Sequence, residues 1–131
     1  MKGLLVVVIL LFFYSTITLS FVECSTKKDE GKIPITTSSE QARQDYLKGR
    51  TLLDNLRGQE SLQYFTKAIQ EDPNFAMAYL LRSGFQPNAN DFFADLKMAV
   101  SLADKVSEGE RAFINGTNAG VNNQPEKQKE Y

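Results

Sequence analysis

Between Ala42 and Phe75 apolar residues recur at helical spacing in two runs, parted by Arg57-Gly58 and closed by Asp72-Pro73. No other stretch constrains the fold as strongly. The first run, Gln41 to Arg57, places Tyr46, Leu47, Leu52, Leu53 and Leu56 within one apolar arc, with Arg43, Asp45, Lys48 and Arg50 in the gaps. Thr37, followed three residues later by Glu40, predicts a capping box ahead of it. Arg57 and Gly58 suit a helix C-terminus: a cation near the carbonyl end, then a residue tolerant of positive φ. The second run, Gln59 to Glu71, repeats the pattern with Leu62, Phe65, Ala68 and Ile69. Asp72-Pro73 ends it, because the residue before a proline is pushed out of the α region.

Two helices joined so tightly must lie antiparallel. Gly49 on the first and Ala68 on the second let them approach, and Phe65 fills the space toward the next pair. One such pair cannot bury both of its apolar sides, so it needs neighbours. In register from Ala42, the marks Gly49, Phe65, Ala68 and Pro73 resemble a tetratricopeptide repeat, a helix pair of about 34 residues. Departures are Asp45 at the usual aromatic position (Tyr46 is adjacent), Leu52 at the usual tyrosine and Ser61 at the usual alanine.

A second unit follows. Phe75 to Arg82 carries Phe75, Ala76, Ala78, Tyr79 and Leu80, and Tyr79 falls at the fourth position, where the family has its aromatic. Gly84 and Pro87 mark a loop, Asn88 or Asn90 can cap the next helix, and Asp91 to Lys105 shows the stripe Phe92, Phe93, Leu96, Ala99, Val100 and Ala103. Phe65, Phe92 and Phe93 are spaced as core residues. Leu96 to Val100 echoes Phe65 to Ile69 at an offset of 31 residues, so this pair is abbreviated, and its closing proline is absent. Ser107 and Glu110 form a second capping box, and the helix through Gly120 has Ala112, Phe113 and Ile114 as its apolar side. Pro125 suits the first position of a further helix. The units read as 42–75, a degenerate 76–106 and an incomplete 107–131; the expectation is the N-terminal part of a longer repeat protein.

The N-terminal segment is of another kind. Lys2 gives a positive start, Leu4 to Phe13 is wholly apolar, and Tyr14 to Val22 adds only hydroxyls among apolar residues. Residues 1–24 therefore read as a secretory signal peptide, with a retained signal anchor as the alternative. Cleavage after Ser20, cleavage near Cys24 and lipidation of Cys24 all stay open, although Glu23 fits a lipoprotein motif badly. Residues 25–39 are polar and read as a flexible tether. Within it Ile33-Pro34-Ile35 is an apolar island able to strap over the first helix pair.

The fold class expected is all-α: antiparallel pairs stacked, as the resemblance implies, into a right-handed tetratricopeptide-like solenoid behind a leader and a tether. A net charge of −1 removes any global attraction to nucleic acid or anionic membrane. The chain has no histidine, which takes away the commonest general base and metal ligand, and its single cysteine cannot form an intramolecular disulfide. No phosphate-binding glycine motif is present, and Asp104, Glu108 and Glu110 flank a helix start where carboxylates suit the dipole. The expectation is a non-enzyme with no cofactor and no metal.

The family's groove is lined mainly by the first helix of each pair and receives a partner peptide or helix. The resemblance places Arg43, Tyr46, Arg50, Leu53 and Asp54 of the first unit there, with Met77 and Leu80 of the second. Arg43 and Arg50, two turns apart, could address one acidic segment. The function expected is a protein-interaction scaffold of a bacterial cell envelope or secretory compartment, exported and either periplasmic or membrane-anchored. Membrane contact would come only through the N-terminal segment. Two alternatives are an accessory region of a longer enzyme and a tethered assembly subunit that self-associates around Phe113, Ile114 and Tyr131. Asn115-Gly116-Thr117 also matches an N-glycosylation sequon.

Overall fold

The structure, a computed structural model, describes residues 33–131. The leader, Cys24 and the first part of the tether lie outside the described residues. Among the described residues six α-helices follow one another: α1 Glu40–Asp54, α2 Gly58–Glu71, α3 Ala76–Ser83, α4 Ala89–Leu102, α5 Glu108–Val121 and α6 Pro125–Gln128. A 3-10 turn, Ala103–Lys105, continues α4. Among the described residues there is no strand, so this part of the chain is all-α.

Sequence neighbours pack on one another. α1 lies chiefly against α2 and α3 chiefly against α4, with α2 also on α3, α4 on α5 and α5 on α6. The first pair closes around a glycine. A Cβ on Gly49 would stand 2.6 Å from Phe65 Cε1, closer than packed carbon atoms tolerate. Phe65 is fully buried there, so it fills the seam within the pair as well as the space toward the next. Tyr46 sits 5.8 Å from Phe65 and 4.8 Å from Phe75, ring centre to ring centre. Those three rings join the first pair to α3. Ala68, Ala76, Ala78, Ala99 and Ala103 keep the remaining helices close, and Leu80, Leu96, Leu102 and Ile114 fill the rest of the core.

The buried face of α1 is Ala42, Asp45, Tyr46 and Gly49. This corrects the expected arc: Leu47 is largely exposed and Leu56 is 95% exposed. The small residues, not the leucines, face the partner helix, because the seam is too narrow for a leucine opposite Phe65. Asp45 was read as a solvated gap-filler but is buried, accepting from Gln41 Nε2 at 3.0 Å. The α4 stripe needs one correction too: Phe93 is 54% exposed and meets Phe92 edge-on at 5.0 Å.

Two caps differ from expectation. Ser39, not Thr37, caps α1, its hydroxyl accepting from Ala42 N–H at 3.1 Å. Thr37 instead donates to the Asp72 carboxylate at 2.6 Å and accepts from Ser39 N–H at 3.3 Å. At the other end of α1 the positive φ falls on Leu56 (φ 59) rather than on Gly58. Leu56 N–H donates to Leu53 O and Arg57 N–H to Leu52 O, each at 2.9 Å. These are the two bonds of a Schellman motif, with leucine at the position that favours glycine. Gly58 opens α2 and serves close packing: a Cβ there would lie 2.1 Å from the Phe85 ring.

Candidate functional site

The seven positions implied by the family resemblance do not share one surface. Tyr46, Met77 and Leu80 are buried in the core, and Leu53 is half-buried. Arg50 and Asp54 are exposed, and Arg43 is partly so. Arg43 is also engaged: its Nη2 donates to Ile35 O at 3.0 Å, and its Nε lies 3.4 Å from Glu40. The resemblance that groups these seven fixes repeat positions; the interior takes three of them, Tyr46, Met77 and Leu80, and Arg50 and Asp54 stay at the surface. Burial pushes the Tyr46 phenol up to about 12; Arg50 opposes the rise and Glu110 adds to it.

The strap forms, and it ties together more than the first pair. Residues 33–39 run without regular structure across helix ends. Thr36 N–H donates to Glu110 Oε1 at 2.9 Å, and the Thr36 hydroxyl donates to Glu110 Oε2. Glu110 Oε2 also accepts from Ser107 N–H at 3.0 Å and Ser107 Oγ at 2.8 Å, completing the expected capping box of α5. Further along, Asp72 accepts from Thr37 Oγ1 and from Ser38 N–H at 3.0 Å, and from Asn74 N–H at 3.0 Å. Burial works to raise the Asp72 pKa, but these donors together hold the carboxyl below its ordinary range. A recess of about 300 Å³ lies here beside Lys105, yet the hydroxyls lining it are already engaged, Thr37 and Ser38 with Asp72 and Thr36 with Glu110. The strap is structural.

A second carboxylate with a structural role is Asp95. It takes Arg82 in a two-pronged pair, Nε–Oδ2 2.9 Å and Nη2–Oδ1 2.6 Å, and accepts from Gln86 Nε2 at 2.6 Å. This pair pins α3 to α4. An aspartate within the apolar stripe of α4 was the sequence signal for it.

The open feature is on α5. Ile114, Ala119 and Glu110 turn into the core, and Phe113 does not: it is 45% exposed, which corrects the expected apolar side of this helix. The opposite face carries Gly109, Ala112, Phe113, Gly116 and Thr117 at intervals of three and four, so they form one stripe. That stripe floors a groove of about 500 Å³, bracketed by Ile33 at one end and by Gln128 and Tyr131 at the other. Ile33 is 43% exposed and Tyr131 54%. Thr117 brings little free polarity, because its hydroxyl donates to Phe113 O at 2.8 Å. The volume is in the range of ordinary ligand sites, and the lining is mostly apolar with one amide, Gln128. The 3–4 spacing of small residues around Phe113 was legible in the sequence and marks this surface.

No family model, curated protein or solved structure matches this chain. The groove is then the strongest pointer to function. Among the described residues no cluster of histidine, cysteine or carboxylate side chains is arranged to hold a metal ion. Among them, too, no helix is long and apolar enough to cross a membrane.

Proposed function

We propose that this chain is a protein-interaction module whose docking surface is the α5 groove, and that it takes an apolar helical or extended segment of a partner protein. The observation that carries this reading is the apolar groove of about 500 Å³ around exposed Phe113. Glycines in a helix interior cost roughly 0.5–1 kcal/mol each relative to alanine. α5 keeps three, Gly109, Gly116 and Gly120, and a floor without side chains lets another backbone approach closely.

The arrangement of the helices supports a tetratricopeptide-like stack as its scaffold. Consecutive pairs pack in sequence order, and α3 is a shortened counterpart of α1, with 8 residues against 15. The apolar run Leu4 to Val22 supports an exported or membrane-anchored location, on sequence alone. The α1 surface is the weaker candidate for docking, because Arg43 is bound to the strap and Tyr46 is buried.

A library of random peptides displayed on phage and selected on the full chain tests this. Enriched peptides should lose about tenfold or more in affinity on Phe113→Arg or Gly116→Leu. Arg43→Ala with Arg50→Ala should leave them unchanged. Peptides that ignore the α5 changes but are lost with the arginines would move the site to α1.

A further inference from the structure

The turn between α1 and α2 carries the most exposed large apolar side chain among the described residues, Leu56 at 95%. Leu56 also holds φ 59, where a leucine is strained, and its own chain gives it no packing in return. Backbone strain kept at one exposed position points to a role for that position. The turn around it is firmly held. Leu56 N–H and Arg57 N–H donate to Leu53 O and Leu52 O. Asn55 Nδ2 donates to Thr51 O at 2.7 Å. Arg57 pairs with Glu60 through two contacts, Nε–Oε1 2.7 Å and Nη2–Oε2 2.5 Å, so the charge beside the leucine is neutralised. Gly58 is seated against the Phe85 ring. An apolar side chain on so fixed a turn is ordered in advance for a partner, because its backbone has no freedom left to lose on binding.

The same chain carries a receiver of matching chemistry. The α5 groove is open, with Phe113, Ala112 and Ile33 in its lining and Gly109 and Gly116 leaving its floor without side chains. None of its lining residues is acidic or basic. Leu56 is not among them, so this knob and this groove meet only between two copies.

We infer that the occupant of the α5 groove is a second copy of this chain, with Leu56 of one copy seated between Phe113 and Gly116 of the next. The inference rests on the docking role proposed for α5 and names its partner. Knob and groove are different patches, so the contact is heterologous: each copy offers one of each, and association runs head to tail. Burial of one leucine is worth about ten- to a hundredfold in affinity. A single contact is therefore weak, and assembly rises with concentration.

Two variants of the full chain, each lacking one half of the contact, test this. Leu56→Asn removes the knob and installs a residue that accepts positive φ. Phe113→Arg blocks the groove, and Gly116→Leu is a second block should the first fail to fold by circular dichroism. In sedimentation velocity the parent should gain mass with concentration, while each variant alone stays monomeric. Their equimolar mixture should form a dimer and nothing larger, because one intact knob and one intact groove remain. Leu56→Ala on the Phe113→Arg chain should weaken that dimer about tenfold or more. The N-terminal segment is common to all these chains, so association through it would appear in each variant alone.

A parent that is monomeric at every concentration, a Leu56→Asn chain that associates as the parent does, or a mixture that stays monomeric overturns the inference. If peptides selected on the chain still lose affinity on Phe113→Arg in that case, the α5 groove stands as the docking surface for a foreign segment. If they do not, both readings fall.

Discussion

The two ends of the described chain solve the same packing problem in opposite ways. At Gly49 a helix glycine is roofed by Phe65, fully buried and locked among Tyr46 and Phe75. At Gly116 a helix glycine lies under Tyr131, which is more than half exposed. The first arrangement is a closed seam, and the second is an open surface. The difference shows that a small residue in a helix does not by itself mean core. What matters is whether the group above it is buried.

The largest effect is expected where the strap meets α5. Glu110 is fully buried and accepts from Thr36 and Ser107 through both backbone and hydroxyl donors. Glu110→Ala removes the acceptor and strands two N–H groups, each worth about 1–3 kcal/mol when left unpaired. The cap of α5 goes with it. A loss of about 3 kcal/mol in urea denaturation is expected, with faster amide exchange in residues 33–39. Glu126→Ala, on the exposed α6, should change stability by less than about 0.5 kcal/mol. Equal effects from the two would mean that the strap is not part of the folded unit.

The glycines themselves give the next contrast. Gly49→Ala inserts a methyl 2.6 Å from a ring with nowhere to go, so a net destabilisation of about 1–2 kcal/mol is expected even after the gain in helix propensity. Gly116→Ala meets Tyr131 at an ordinary 3.6 Å and keeps the propensity gain, so stability should rise by roughly 0.5–1 kcal/mol. A rise in both, read from urea midpoints, would show that the first seam is looser than its geometry implies.

Much of the helical architecture was legible because apolar spacing, proline stops and the Ser107-x-x-Glu110 pattern are local signals. Helix ends came within a few residues on those grounds. The faces were less legible. The leucines of α1 outnumber its small residues, so periodicity centred the arc on Leu47 to Leu56, whereas the interior follows Ala42, Tyr46 and Gly49. Which arc is buried depends on what stands opposite, here Phe65, and that is a long-range fact. The same holds for polar residues. Asp72 reads as a helix stop and Glu110 as a cap, and both also accept from the strap, across 35 and 74 residues of sequence, while Asp95 takes Arg82 from the preceding helix. The groove was legible only in half: the stripe on α5 is local, but its two brackets, Ile33 and Tyr131, arrive from distant parts of the chain.

The smallest and sharpest contrast is between the two Schellman ends, neither of which uses glycine. Leu56 and Asn123 both hold positive φ, at 59 and 55. Leucine in that region suffers the clash of its Cβ with the following carbonyl, a cost of about 1 kcal/mol, whereas asparagine tolerates it. Leu56 is 95% exposed, so no packing offsets the strain. Leu56→Gly should therefore stabilise by about 1 kcal/mol less the extra freedom glycine has when unfolded. Asn123→Gly should change stability by only a few tenths of a kcal/mol. A Leu56→Gly protein that loses stability would show that the freedom glycine gains when unfolded outweighs the strain that leucine suffers at this position.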